Sequence, residues 1–349
     1  MNLKKVLLIM LLIAIIGAGV VVALIAVDRF DDEDDERLSV VVTNFVAYDF
    51  VRQIAGDNVN LTYLLGPGVE MHGYEPNPGD LRHIENADLF IYIGGDMERW
   101  TTRVLPELNI EDTTVLRLMD AVDVIEKQEV DGAEHHHHDH DDEEHGHSHE
   151  HSHHDEEEEH GHHEEEGRHH HEEVEYDEHI WTSLENAIVI VRAIADELIR
   201  LDSENEEIYE ENATKYIEQI REVQTEIRQI VEDRVRDRLV FGDRMPMQYF
   251  LSEFGLIASA AFTGCGTQTE PSAGTITHLV NVVREQEIPV VLYIELSIGR
   301  IARTIASEAN VEVMQIQTLH NVSRDDFEAG ESYVSLMRRN LDVLRKALH

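Results

Sequence analysis

Forty-eight residues in the middle of this chain, positions 131–178, offer almost nothing that a core could bury, and this restricts the fold more than any other feature. The stretch holds 21 acidic residues against one base, Arg168, and 17 of the chain's 23 histidines fall inside it between His135 and His171. A segment with so few apolar side chains cannot offset the entropy of being ordered, so disorder is predicted for it. The remainder of the 349 residues must then fold from material on either side of an insert. One base against 21 acids leaves −20 of the formal net charge of −44 in the insert and −24 elsewhere. A field of that sign repels phosphate backbones and argues against nucleic acid as a partner. Blocks such as HHHHDH, HGHSHEHSHH, HGHH and RHHH put many imidazoles on an unfolded backbone, so several weak divalent-metal sites are expected there.

The amino terminus points to a compartment. Lys4 and Lys5 precede an uncharged apolar run of 22 residues, 6–27, and an acidic cluster at 31–36 follows it. At about 1.5 Å per residue the run spans roughly 30 Å of hydrocarbon, long for a signal peptide, with positive charge inside and acid outside. Residues 1–37 are therefore read as a membrane anchor and acidic linker, with a cleaved signal ending near Ala23 or Ala26 as the alternative. Either way, the rest of the chain is expected on the extracytoplasmic face of the membrane.

On both sides of the insert, short β-branched runs alternate with helical patterns. Strands are predicted at 38–43, 59–65, 87–93 and 114–118 before the insert, and at 239–242, 256–262, 289–296 and 312–317 after it. Helices are predicted from the end of the first strand to Ala55, at 80–86 and 183–202 and, in the second half, at 249–254, 272–287, 299–309 and 332–348. Residues 204–236 carry Ile208, Ala213, Ile217, Ile220, Ile227, Ile230 and Val231 at helical spacing, which predicts one long amphipathic helix. The fold class is α/β, with two lobes that are each a mainly parallel sheet with helices on both faces. The organisation is an N-terminal lobe at 38–130, the insert at 131–178, a helical return at 179–203, the long helix at 204–236 and a C-terminal lobe at 237–349.

Six histidines lie outside the insert. His72, in GVEMHGYEP, follows the second strand; His179, in YDEHIWTS, precedes the helical section; His320, in QTLHNVS, follows the last strand. In open α/β sheets ligands sit at the carboxyl ends of strands, so these three imidazoles form a candidate metal set. Any one of them alone would read as an ordinary hydrogen-bonded histidine. His83 and His278 fall on polar helix faces and His349 ends the chain, so all three read as solvated. Cys265 is the only cysteine, which excludes an intrachain disulfide and a CxxC zinc ribbon.

The chain from residue 38 to its end resembles the metal-binding substrate-binding proteins of zinc and manganese ABC importers, often called cluster A-I. The resemblance rests on VVVTNFVAYDFVRQIAGD, LLGPGVEMHGYEPNPGDLRHIENADLFIYIGGDME, the His-rich acidic insert, DEHIWTSLENA, VFGDRMPMQYFLSEFGL, TEPSAGTITHLV and VLYIELSIGR. It implies two lobes joined by one rigid backbone helix, with a metal held in the cleft between them. The histidine of the G-x-x-x-H pattern and that of H-x-W are ligands in the family, and these fall on His72 and His179. A third ligand position falls on Arg244, which cannot ligate, and a fourth on His320. Either Cys265 or Glu295 is the candidate to complete the set. A pairing of Arg244 with Glu295 or Asp243 would favour Cys265.

Three imidazoles with one thiolate or carboxylate suit zinc better than manganese, which prefers more oxygen donors. The resemblance implies a protein that captures a divalent metal, zinc first, and passes it to an ABC permease in the membrane; a monomer is expected. The competing class is a membrane-anchored zinc-dependent hydrolase with an open coordination position and Glu295 as general base. No HExxH, GxSxG or P-loop supports it.

Overall fold

The computed structural model describes residues 37–128, 130–132, 174–262 and 270–349. The apolar run at 6–27, the bulk of the insert and Cys265 lie outside these residues. Among the described residues no helix is long and apolar enough to cross a membrane.

Two four-stranded sheets have the same plan. The first is built from β1 (Leu38–Val42), β2 (Val59–Tyr63), β3 (Leu89–Tyr92) and β4 (Thr114–Arg117), in the order β2-β1-β3-β4. The second uses β5 (Arg238–Phe241), β6 (Ile257–Ala260), β7 (Val290–Ile294) and β8 (Glu312–Ile316), in the order β6-β5-β7-β8. Every pairing is parallel. Parallel strands need crossovers, which helices supply: α1 (Phe45–Ala55), α2 (Pro78–Glu85) and α3 (Trp100–Val104) in the first half, and α6 (Gln248–Phe254), α7 (Ala273–Glu285) and α8 (Arg300–Ala309) in the second. Between the sheets in sequence run α4 (Leu184–Leu201) and α5 (Glu206–Glu232), and α9 (Arg324–Glu328) and α10 (Tyr333–Leu348) close the chain.

Both faces of each sheet are covered, which is why the strands read as unbroken apolar runs. In β1, Val40 and Val42 point into the central core while Val41 points to an outer cluster with Ile84, Phe90 and Trp100. In β5, Leu239 and Phe241 join the central core and Val240 an outer cluster with Leu279, Val291 and Ile305. That central core is continuous: it runs from Val42 and Ile91 of the first sheet through Ile220 and Ile227 of α5 to Leu292 of the second, and on to Tyr333 and Leu344 of α10.

The two lobes are thus joined by α5 and by shared packing. At 27 residues, α5 is about 40 Å long. It stops at Glu232, short of the predicted 236, because the amides of Val235 and Arg236 turn to donate to the carbonyl of Leu348. A second link lies beside the insert. Asp131 makes a parallel bridge to Ser259 at the edge of the second sheet, and its carboxylate accepts from Arg238 at 2.9 Å and Ser259 Oγ at 2.7 Å. The chain returning from the insert pairs with residues 125–127: Lys127 N donates to Glu175 O and Asp177 N to Ile125 O. Residues 174–178, acidic like the insert, are therefore part of the folded body.

Candidate metal centre

Three loops converge at the carboxyl ends of the two sheets. The first follows β2 and turns through Gly66, Gly68 and Gly73, all at positive φ, with Met71 buried as an anchor; His72 is next to it and half-buried. The second begins at the returning strand: His179 leads a single 3-10 turn, and Ser183 then caps α4 by accepting from Asn186 N. That cap and the buried Trp181, whose Nε1 donates to Thr318 O at 2.9 Å, fix where the turn sits. The third follows β8, where Leu319 takes a φ of +63° and His320 is buried.

Among the described residues, His72, His179 and His320 form a group whose ligand atoms all lie within 4.8 Å of one another. The rings of His179 and His320 are 4.4 Å apart, with their Nε2 atoms separated by 2.7 Å, and the rings of His72 and His320 are 5.8 Å apart. The Nε2 of His72 is buried without a hydrogen-bond partner. Tetrahedral zinc with Zn–N near 2.0–2.1 Å sets neighbouring nitrogens about 3.3 Å apart, so a small rearrangement seats the ion.

The hydrogen-bond network assigns the tautomers. Asp177 Oδ1 lies 2.7 Å from His179 Nδ1 and also accepts from His179 N at 2.8 Å. A carboxylate only accepts, so the Nδ1 proton is on His179 and its Nε2 offers a lone pair. Glu295, which is buried, accepts from Thr318 N at 2.7 Å, from Thr318 Oγ1 at 2.8 Å and from His320 N at 2.9 Å. Having given its proton to Glu295, Thr318 Oγ1 must accept from His320 Nδ1, 3.1 Å away, and His320 Nε2 is left as a lone pair too. In the neutral rings the two Nε2 atoms lie 2.7 Å apart, where a shared proton or a metal ion reaching both would join them.

Protonation is disfavoured at two of the three rings, His72 and His320. Burial pulls the His72 pKa down to about 4, assisted by the neighbouring His179, and burial with His179, His72 and Arg244 holds His320 well below the usual histidine range. Burial raises the Glu295 pKa above the usual carboxylate range, and its donors from Thr318 and His320 pull only partly the other way. Asp177 is held below the usual range: burial pushes it up, and the His179 ring and amide outweigh that.

Glu295 does not stand in the ligand group. Its oxygens are occupied by the loop that carries His320, so it shapes that loop. Arg244 pairs elsewhere than expected: its guanidinium meets Glu70 Oε2 at 3.1 Å, while Asp243 accepts from the Arg244 backbone amide. Glu70 lies in the other lobe, 174 residues away in sequence, and its charge offsets part of the field of an arginine that opposes a dication. Cys265 lies outside the described residues. His83 and His278 are exposed, His278 bonded to Asp131 at 3.0 Å, and the exposed His349 bonds to Ile230 O. Sequence reasoning missed Asp177 and Thr318; the D-x-H spacing was the available signal for the first.

Fold and centre together define a two-lobed α/β protein with a buried three-histidine pocket between its sheets. The family described as zinc-uptake complex component A, periplasmic, matches residues 40–347, and the chain belongs to it. Among curated relatives it is 27% identical over 318 residues to the zinc-binding lipoprotein AdcA of Streptococcus pneumoniae, a match covering 89% of this chain and 56% of AdcA. It thus spans about half the length of that relative. It is also 27% identical over 317 residues to the high-affinity zinc uptake system protein ZnuA of Bacillus subtilis, covering 91% and 89% of the two chains. The Zn(II)-bound ZnuA-like domain of Streptococcus pneumoniae AdcA superposes with a TM-score of 0.67 at 24% identity, covering 89% of this chain and 99% of that one, which establishes the shared fold.

Proposed function

We propose that this protein captures a divalent transition metal outside the cytoplasm, zinc before manganese, and delivers it to an ABC-type permease. The observation that carries the reading is the convergence of His72, His179 and His320 from three loops, their ligand atoms all within 4.8 Å of one another and the Nε2 of His72 buried without a partner. His72, His179 and His320 are the proposed ligands. Nitrogen donors favour zinc over manganese, and the names of the AdcA and ZnuA relatives agree. Cys265 remains the candidate for a fourth ligand; Glu295 is reassigned to support of the His320 loop. The hydrolase alternative needs Glu295 free as a base, and its bonds to Thr318 and His320 weigh against that. The reading includes an N-terminal anchor at 6–27, a monomeric chain, and the His-rich part of the insert, 133–173, gathering metal for the cleft or buffering its excess.

The test is zinc affinity by competition with a chromophoric chelator. His72→Ala, His179→Ala and His320→Ala should each lose more than the roughly 100-fold that removal of an outer-shell partner costs. Wild-type affinity in any of the three removes that residue from the site.

A further inference from the structure

Asn321 follows His320 and is 1% exposed, yet the groups it bonds belong mostly to the other lobe. Its Oδ1 accepts from Tyr63 Oη at 2.7 Å and from Val322 N at 2.7 Å; its Nδ2 donates to Gly66 O at 2.9 Å and Val69 O at 2.6 Å. Two acceptor and two donor capacities are all used, and the orientation is unambiguous because Val322 N can only donate and the two carbonyls can only accept. Tyr63 ends β2, and Gly66 and Val69 lie in the loop that reaches His72. Gly68, between them, donates to Val322 O at 2.8 Å and takes φ +76°, and the Arg324 side chain lies against the space a Cβ there would fill. The loop bearing His72 is therefore seated, residue by residue, on the segment bearing His320.

We infer that Asn321 is a positioning residue of the metal centre, which fixes the His72 loop against His320 so that both imidazoles meet the metal as a pre-set pair. The inference rests on the three-histidine reading given above. His179 and His320 are buried and held by their own networks, whereas His72 is the half-buried member at the solvent side. Ligand loss at His72 is thus the first step of metal release, and the four bonds of Asn321 oppose it.

The experiment measures zinc dissociation into excess chelator by stopped flow, together with the visible absorption of the Co²⁺-substituted protein. Asn321→Ala removes all four bonds, and Asn321→Asp keeps the acceptors while setting a carboxylate against two carbonyls. Both should release zinc 10- to 100-fold faster, the range typical of outer-shell partners. Their Co²⁺ bands should weaken as water replaces His72. Tyr63→Phe removes a single bond and should accelerate release roughly 2- to 10-fold, which decides the matter if Asn321→Ala does not fold. A purely structural role would lower the unfolding temperature of the metal-free protein and leave both readouts unchanged, and that result overturns the inference. His72→Ala is run alongside. If it loses tight binding while the Asn321 variants behave as wild type, only the positioning role falls; if it too is unchanged, the three-histidine reading falls.

Discussion

Asp177 offers a substitution series that separates orientation from charge. One oxygen, Oδ1, accepts both the Nδ1–H and the backbone N–H of His179, at 2.7 and 2.8 Å. The backbone of Asp177 is held independently, since its N–H donates to Ile125 O and its carbonyl accepts from Tyr249 Oη at 2.7 Å. Changes to the side chain should therefore leave the loop in place. Asp177→Asn retains an oxygen at Oδ1 and with it the tautomer of His179, losing only the charge assistance. A charge-assisted bond contributes about 1 kcal/mol more than a neutral one, so zinc affinity should fall about fivefold. Asp177→Ala frees the ring to turn and to carry its proton on Nε2, where it would block the metal, and should approach a 100-fold loss. Chelator competition at fixed pH and ionic strength gives both numbers. If Asn and Ala lose affinity equally, the carboxylate acts by its charge and not by holding the tautomer, and the reasoning is refuted.

Three further outcomes follow from the same structure. Because burial holds His72 near 4 and His320 well below the usual range, these two imidazoles stay neutral as pH falls from about 6.5 toward about 4, whereas the unfolded chain binds protons there. The metal-free protein should lose stability as pH falls through that window, seen as a lower Tm at pH 5 than at pH 7; an unchanged Tm would contradict the shifts. Deleting residues 133–173 should leave one tight equivalent in isothermal titration and abolish the weak ones, whose loading should fade below about pH 6.5; losing the tight equivalent as well would put the insert in the cleft. Gly242→Ala would bring a methyl to 2.2 Å from the Ala302 backbone, so urea unfolding should show a loss of about 1–3 kcal/mol, and no loss would mean that α8 moves freely against β5.

Much of this architecture was legible because both faces of each sheet are covered. Runs such as 40–42 and 290–292 are unbroken apolar stretches with no alternation, and their lengths and flanking turns mark them as strands. Ends were less legible, since they depend on distant partners, as the bonds from Val235 and Arg236 to Leu348 O illustrate. The helices Trp100–Val104 and Arg324–Glu328 are too short to show a period. In the centre, the three histidines could be picked out by their place at loop positions outside the insert. Their supports could not. Asp177 was hidden among the insert's acids, and Glu295 read as a candidate ligand because nothing in IELS reveals that the Thr318 and His320 amides reach it. The partner of Arg244, Glu70, belongs to the opposite lobe, beyond the reach of local pattern.

The core that runs unbroken from Val42 to Leu344 makes the two sheets one thermodynamic body. Neither lobe can melt without exposing the apolar face of the other, so thermal unfolding should pass through a single transition. An ion bound where the sheets meet therefore protects the entire chain: at a thousand times its dissociation constant it adds about 4 kcal/mol to that one equilibrium.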